Sequence, residues 1–476
     1  MVPLALHLKF DYDEWLEFHA IWQVGAGHKP YVDFYFARPP YNWLAWAPVL
    51  KLLPEKLESL VWLRLGNLVS SFLALALWLY AALTRSSDRS WKTCALAATA
   101  LVVLQVPVIF TFAQFRPDHF VLATAMLGLM LMENPRPARW AAAGALFSTG
   151  LLLTPKLILI YGAAGLLFGL DLWKTDRKQA ARCLGSLIAS FAAAFLIVNA
   201  ATMACGIDLG PYFFGVIERH LAATAHSGYR FGLARMIILR TAYNPLWLLI
   251  FAGGTYASVA EFREHGWRRN KFMLVMLIFA VVQPLWVKYF YDQYLYTVLL
   301  VWSLPLALFL HRAGKWRSQS AQGALAVLLL AGVFHALPEF LDFRRDRLGM
   351  EEDVAIGDKI LELAPEGRPV AMQPPRHPVF REDSTLFIDH SLTPGGGPVT
   401  EQLMSGSLIY AKSFSYEGYL EQLQRRPPSV IWVNTMFTGP EYRAAIDQFT
   451  RVLHPKDYEA RDVFGVSVLV RRATRP

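Results

Sequence analysis

Long apolar runs separated by short polar breaks fill the middle of this chain, and only its two ends depart from that rhythm. A helix that crosses a bilayer needs ~20 mostly apolar residues. Hydropathy scanned on that length finds about ten runs: residues 59–83, 94–112, 119–132, 140–154, 156–172, 183–205, 236–260, 272–290, 294–310 and 321–338. Several are short, which suits helices shielded by their neighbours. The pattern predicts a polytopic α-helical membrane protein in three parts: residues 1–58, a helical membrane body over 59–338, and a polar region over 339–476.

The last part changes period. "VAIGDKILELA" (354–364) has helical spacing, "RPVAM" (368–372) and "SVIWVN" (429–434) have the composition of buried strands, "EYRAAIDQFTRVL" (441–453) is helical again, and "VFGVSVLVRR" (463–472) ends as a strand. Helix alternating with strand predicts a small C-terminal α/β domain. "SLTPGGGPVTE" (391–401) has the composition of a mobile loop.

Composition supports the membrane assignment. Of 476 residues, 55% are hydrophobic and 17% charged, and the mean hydropathy is +0.31. The net charge of +9 does not point to nucleic acid, because topology accounts for it. One alternating set of breaks, "TRSSDRSWK" (84–92), "ENPRPARW" (133–140), "WKTDRKQAAR" (173–182), "EFREHGWRRNK" (261–271) and "HRAGKWR" (311–317), carries a surplus of Lys and Arg. The positive-inside rule puts these in the cytoplasm. Residues 1–58 then form a first external loop with juxtamembrane helices, and 339–476 is extracytoplasmic. An outward loop at 11–58 needs an earlier span, yet only "MVPLALHL" precedes it; eight helical residues reach ~12 Å against ~30 Å of hydrocarbon. The expectation is that the first span is truncated. Cys94, Cys183 and Cys205 lie in or at the ends of spans, without zinc or disulfide spacing, and read as small core residues.

The first loop holds the densest chemistry: "DYDEWLEFHAIWQVGAGHKPYVDFYFARPPY" (11–41). Asp11 and Glu14 fit a capping box opening a helix to about Val24. Trp15, Phe18 and Trp22 share one face, suited to lipid headgroups. Asp13 falls in the first turn, where a carboxylate is either a solvated acid favoured by the helix dipole or a general base for an incoming hydroxyl. Arg38 precedes Pro39-Pro40 among aromatics, placed to snorkel to headgroups or to grip a phosphate bidentately. "YNWLAWAPVLKLLP" (41–54) is amphipathic and predicted to lie along the outer interface.

Other polar groups fall on the same side. "FRPDHF" (115–120) puts Arg116 and Asp118 at an outer helix end, as a local pair or as site residues. "TPK" (154–156) sets Lys156 in a break between apolar helices, snorkelling or facing a cavity. "KYFYDQYLY" (288–296) brings Lys288, Tyr291, Asp292 and Gln293 to the outer face. The mid-membrane stretches carry little charge, Arg240 being the main exception. A transporter would bury polar groups on broken helices at the midplane, so the pattern favours surface chemistry on a membrane-embedded substrate. There is no Gly-rich phosphate loop or nucleotide fingerprint. No cofactor is evident; acids clustered in the first loop leave room for a divalent metal, but no ligand spacing demands one.

These residues resemble the first external loop of the polyprenyl-phosphate-sugar-dependent glycosyltransferases of the GT-C fold, which include bacterial relatives of protein O-mannosyltransferases and aminoarabinose–lipid A transferases. The shared features are Asp13-Glu14, His19-Ala20, Gly25 or Gly27, Pro30-Tyr31-x-Asp33-Phe34 and Pro39-Pro40, followed in order by "RPD" (116–118), "TPK" (154–156) and "YDQYL" (291–295). The match is good over 11–41 and loose over most of 11–310. The resemblance implies a bacterial inner-membrane enzyme whose site and C-terminal domain face the periplasm. Its partners would be a polyprenyl-phosphate-linked sugar donor, a lipid, polysaccharide or protein acceptor, and the bilayer. Asp13 with Glu14 would form the catalytic pair, Asp13 taking the acceptor proton. Arg38, aided by Arg116 and Lys156, would hold the leaving phosphate; Asp33, His19, Asp118, Tyr291 and Gln293 would bind substrate. Close relatives often carry Phe-Glu-His-His-Pro-Pro where this chain has Phe36-Ala37-Arg38-Pro39-Pro40. The missing acid and histidines keep two alternatives open: a non-catalytic glycolipid-binding or scaffold relative, and a lipid or solute transporter.

Overall fold

Inside a bilayer a backbone segment must satisfy its own N–H and C=O groups, which selects helices, and the apolar runs of this chain are helices in the computed structural model. It describes residues 2–34, 38–154, 157–210, 232–286, 292–315, 319–372, 377–384, 416–432 and 453–472. The first ten helices are α1 (Val2–His7), α2 (Tyr12–Gly25), α3 (Tyr41–Lys51), α4 (Ser59–Leu83), α5 (Arg89–Val103), α6 (Val106–Ala113), α7 (Asp118–Met132), α8 (Pro137–Leu153), α9 (Ile158–Thr175) and α10 (Arg177–Ala204). Further helices include Gly232–Tyr243, Lys271–Trp286, Asp292–Ala313, Gln319–Arg347, Met350–Leu363 and Tyr416–Arg425.

Among the described residues four helices are long and apolar enough to cross a membrane: α4, α9, α10 and Leu295–Ala313. The number rises to six if each of two bent pairs is one span. The first pair, α5 with α6, bends by 77° at Gln105, which is extended (ψ 136°) and caps α6; Pro107 falls in the first turn of α6, where no N–H is needed. The second, Ala234–Ala242 with Pro245–Arg269, bends by 116°. There Asn244 caps the new helix by accepting the Leu246 N–H at 2.9 Å, and Pro245 takes the first helical position, where no N–H is needed. The protein is a helical membrane protein.

The described chain divides into two compact units. One comprises Met1, Gly66–Val198 and Ser227–Leu348. Its centre is the helix Leu295–Ala313, with 83% of its apolar window buried, against 17% for the peripheral α10. Two buried indoles in its core donate to polar partners: Trp78 to Ser303 Oγ at 2.8 Å and Trp247 to Gln105 Oε1 at 3.0 Å. Gly144 lets α8 and α10 approach closely, since a Cβ there would sit 2.2 Å from the Leu187 carbonyl oxygen.

The other unit joins Val2–Leu65, Asn199–His226 and Gly349–Pro476. The first loop and the C-terminal region, distant in sequence, are thus one body. The Gly349 N–H donates to the His7 carbonyl at 3.0 Å. Leu57 packs on Gly357, where a Cβ would meet Leu57 Cδ1 at 1.9 Å. A four-stranded sheet has the order β1-β2-β4-β3, with β1 (Ala371–Met372), β2 (Val430–Trp432), β3 (Tyr458–Val463) and β4 (Val466–Arg471). β1 and β2 are parallel, Ala371 opposite Ile431; β2–β4 and β3–β4 are antiparallel. The hairpin closes at Val463 opposite Val466 through Phe464-Gly465, both at positive φ (51° and 82°), as a two-residue primed turn requires. Ile356, Ile360, Val370, Met372, Val430 and Val468 make the core under the sheet.

The predicted helix over 354–364 is Met350–Leu363, and the strands expected at 368–372, 429–434 and 463–472 contain β1, β2 and β4. Strand β3 was not expected, because "YEARDV" carries charge where a buried strand would be apolar; it is an outer strand of the sheet with an exposed middle. The loop predicted at 391–401, and residues 441–452 of the predicted last helix, lie outside the described residues.

Candidate active site

Helix α2 opens where the sequence predicts. Asp11 is its N-cap, and the Asp11 N–H donates back to Glu14 Oε2 at 3.0 Å, the returning arm of a capping box. The helix carries Asp13, Glu14 and Glu17 in its first half, and each has a different fate. Glu14 is wholly buried against the wholly buried Arg64 of α4. Its Oε1 accepts from Arg64 Nε at 2.9 Å and its Oε2 from Nη2 at 2.7 Å. Arg64 Nη1 donates to the carbonyls of Ala5 and Leu8 at 3.0 and 2.7 Å. The Phe10 ring covers the guanidinium at 4.4 Å.

Glu17 is also buried, one turn after Asp13. Its Oε2 accepts from Trp43 Nε1 at 2.7 Å and Asn42 Nδ2 at 3.1 Å. Its Oε1 takes Arg38 Nη1 at 2.8 Å, while Arg38 Nη2 lies 2.5 Å from Asp13 Oδ1. Arg38 therefore bridges the two acids that share this face. Asp13 and Arg38 keep 22% and 30% of their side chains exposed, against 3% for Glu17. Of these three acids, Asp13 is the one that reaches solvent.

The aromatic face differs from expectation. Trp15 and Phe18 are buried, in edge contact with Phe10 at 5.2 and 5.4 Å, and Trp22 donates to Glu55 Oε1 at 3.0 Å. An apolar helix face can be covered by lipid or by protein, and here protein covers it.

His19 lies further along α2 and is buried. Its Nδ1 lies 2.6 Å from the Val379 carbonyl, and its Nε2 lies 2.8 Å from Asp383 Oδ2. His377 Nε2 meets the other Asp383 oxygen at 3.0 Å, and its Nδ1 accepts the Val379 N–H at 3.0 Å. Val379 has φ +58°, a region costly for a β-branched residue, and two imidazoles grip its backbone on either side. Burial alone would push the Asp383 carboxyl up; His19 and His377 overcome it and hold the group well below the usual carboxylate range. His19, His377 and Asp383 are close enough together to be weighed as metal ligands. Asp383 also borders a cleft of about 220 Å³ lined by Gln23, His28, Asp33, Glu382 and Arg426. Asp33 accepts the Lys29 N–H at 2.7 Å there.

The remaining sequence candidates belong to the helical unit. Arg116 and Asp118 are buried at the start of α7; Arg116 Nε donates to Gln114 Oε1 at 2.5 Å, and Asp118 sits in the first turn, where the helix dipole favours an acid. Gln293 is in the first turn of Asp292–Ala313. Lys156 and Tyr291 lie outside the described residues. Arg240 stacks on Trp247 with 5.5 Å between guanidinium carbon and ring centroid, so this charge in an apolar stretch has an aromatic partner. Glu17, Arg64, His377 and Asp383 were not singled out from sequence. Two carried a signal: Arg64 is a lone cation in an apolar run, and Glu17 is one helical turn from Asp13.

No family model, no curated protein and no solved structure matches the chain.

Proposed function

We propose that this protein is a membrane-embedded inverting glycosyltransferase of GT-C type, with about ten spans, that moves a sugar from a polyprenyl-phosphate carrier to an acceptor hydroxyl on the extracytoplasmic face. The observation that carries the reading is the partly exposed Asp13–Arg38 pair, on a helix whose Glu14 and Glu17 are spent on buried partners. A general base and a phosphate clamp side by side are what the reaction needs.

An arriving donor phosphate competes for Arg38. Glu17 is buried and fixed by Trp43 and Asn42, so the more exposed Asp13 is the carboxylate displaced. Asp13 then takes the acceptor proton as the hydroxyl oxygen attacks the anomeric carbon. The bond from that carbon to the phosphate oxygen breaks with inversion, and the electron pair leaves on the polyprenyl phosphate, held by Arg38. Such cationic stabilisation contributes ~3 kcal/mol per well-placed donor.

A non-catalytic glycolipid-binding or scaffold role is favoured by one observation: Arg38 is already met by two carboxylates. The gene is deleted and complemented with wild type or Asp13→Asn, and envelope glycans and lipids are compared by mass spectrometry. The proposal expects a sugar that disappears on deletion and returns with wild type alone. Restoration by both versions would remove Asp13 as the base, and no change in any glycan would favour the scaffold.

A further inference from the structure

Three breaks that are far apart in the sequence meet at one end of the helical unit, the end that the positive-inside rule assigns to the cytoplasm. The Gln179 side chain, at the start of α10, donates to the Pro135 carbonyl just before α8. Lys174, in the last turn of α9, has its Nζ 5.8 Å from the centre of the Trp267 ring, near the end of the helix Gly254–Arg269. Arg136, Arg139, Lys174, Arg177, Lys178 and Arg182 are exposed on the segments so joined, and among the described residues none of them has an acidic partner. The acids nearby are taken. Asp171 lies against Arg268 and Lys271, Glu133 is in the field of Arg85 and Lys271, and Asp176 is turned to the start of α10, accepting the Gln179 N–H at 2.9 Å.

Helix stability does not call for this arrangement. A cation suits the last turn of a helix and opposes the first, yet Arg177 and Lys178 open α10. Topology accounts for cations on this side but not for leaving them unmatched in one place: Arg312, on the same side, lies 2.7 Å from Glu264 and 3.0 Å from Glu261. The neighbouring surface is apolar. Leu166, Leu170 and Trp173 of α9 are exposed and fall at i, i+4 and i+7, one stripe of the helix. The stripe runs toward the patch and ends on a tryptophan, a residue enriched at headgroup level in bilayers. An apolar stripe leading to unmatched cations fits an amphiphile with hydrocarbon chains and an anionic head.

We infer that this end of α8, α9 and α10 is a binding surface for an anionic phospholipid, with acyl chains along the α9 stripe and the phosphate among Arg136, Lys174, Arg177 and Lys178. A guanidinium grips phosphate bidentately, and a lysine adds a point charge. Clustered basic residues beside spanning helices attract anionic lipid heads in this way. A nucleic acid would use the cations and leave the stripe uncovered. The inference rests on the membrane assignment and not on the proposed sugar transfer, so either can fail alone.

Native mass spectrometry of the full-length protein, released from micelles that hold equal amounts of phosphatidylglycerol and phosphatidylcholine with the same acyl chains, tests this. The wild type should retain phosphatidylglycerol in preference. Arg177→Gln/Lys178→Gln, at two exposed positions, should lower that preference roughly tenfold or more, since each basic residue beside anionic lipid strengthens binding about fivefold. Arg89→Gln/Lys92→Gln removes the same charge from exposed positions in another break on the same side and should leave the preference unchanged. Equal retention of the two lipids by the wild type would overturn the inference. So would an equal loss in the second variant, which would reduce the effect to net charge. Displacement of the lipid by a single-stranded oligonucleotide at matched concentration would also overturn it and assign the patch to nucleic acid.

Discussion

Arg64, inside the apolar run of α4, donates through Nε and Nη2 to both carboxylate oxygens of Glu14 on α2, with neither side chain open to solvent. The remaining Nη1 donors end on backbone carbonyls of the chain's first nine residues. One guanidinium thus ties together the start of the chain, the cap of α2 and the first long apolar helix. Removing one member of such a pair strands a buried charge, which costs about 3–5 kcal/mol. Arg64→Ala and Glu14→Ala should each lower unfolding stability by about that amount. In a double-mutant cycle, the loss in Arg64→Ala/Glu14→Ala should be well short of the sum; additive losses would show that the pair is not coupled.

Arg38 reaches Asp13 and Glu17 at once because a guanidinium is a planar fork. A lysine has the charge but a single head. Under the proposed activity, Arg38→Ala should raise the donor KM about tenfold or more, equivalent to ~1.4 kcal/mol of lost binding, and Arg38→Lys should recover only part of it. Unchanged donor KM in Arg38→Ala would remove the phosphate role.

Asp383 makes its unit sensitive to acid. Its carboxyl sits below the ordinary carboxylate value in the folded protein, so the stability it contributes is fully present above about pH 4 and is lost as pH falls toward the folded value. Relative to Asp383→Asn, the wild type should be more stable by about 3–5 kcal/mol at pH 7, and the gap should narrow by ~1.4 kcal/mol for each pH unit below 4. Chemical unfolding of both proteins from pH 3 to pH 7 measures it, and a gap constant to pH 3 would contradict the assignment.

Gly357 has no room for a methyl group, since Leu57 Cδ1 occupies the place where its Cβ would go. Gly357→Ala should destabilise by about 1–3 kcal/mol, the usual penalty of overpacking. Leu57→Ala in the same chain should return part of that loss, although Leu57→Ala alone is destabilising. Thermal unfolding of the three variants checks the sign of the coupling.

The helices were legible because a bilayer forces one secondary structure on an apolar run; the α5–α6 bend was not, because residues 94–112 scan as one apolar run. The cap of α2 was legible from the three-residue spacing of Asp11 and Glu14. What covers its aromatic face was not, because Trp15 and Phe18 suit lipid and protein alike. Arg64 announced that it needed a partner, but the partner lies 50 residues away, beyond any local pattern. His377 and Asp383 gave no warning. "RHPVFRED" has the composition of a loop, and its meaning depends on a histidine 364 residues before Asp383. Local chemistry marks a site's own residues; it is silent on pairings made only when distant segments meet.

That separation sets a timetable. At about 5–20 residues per second of synthesis, roughly 20–70 s pass between the emergence of His19 and that of the carboxylate that holds it. Through that interval α2 can form its cap and its bond to Arg64, while its other end waits for the last quarter of the chain. A ribosome stalled before residue 383, or a chain cut there, leaves a nascent helix pinned at one end with a basic, water-seeking ring at the other. Such chains should be preferred clients of quality-control proteases, and damage at the carboxyl end should be felt first at the amino end.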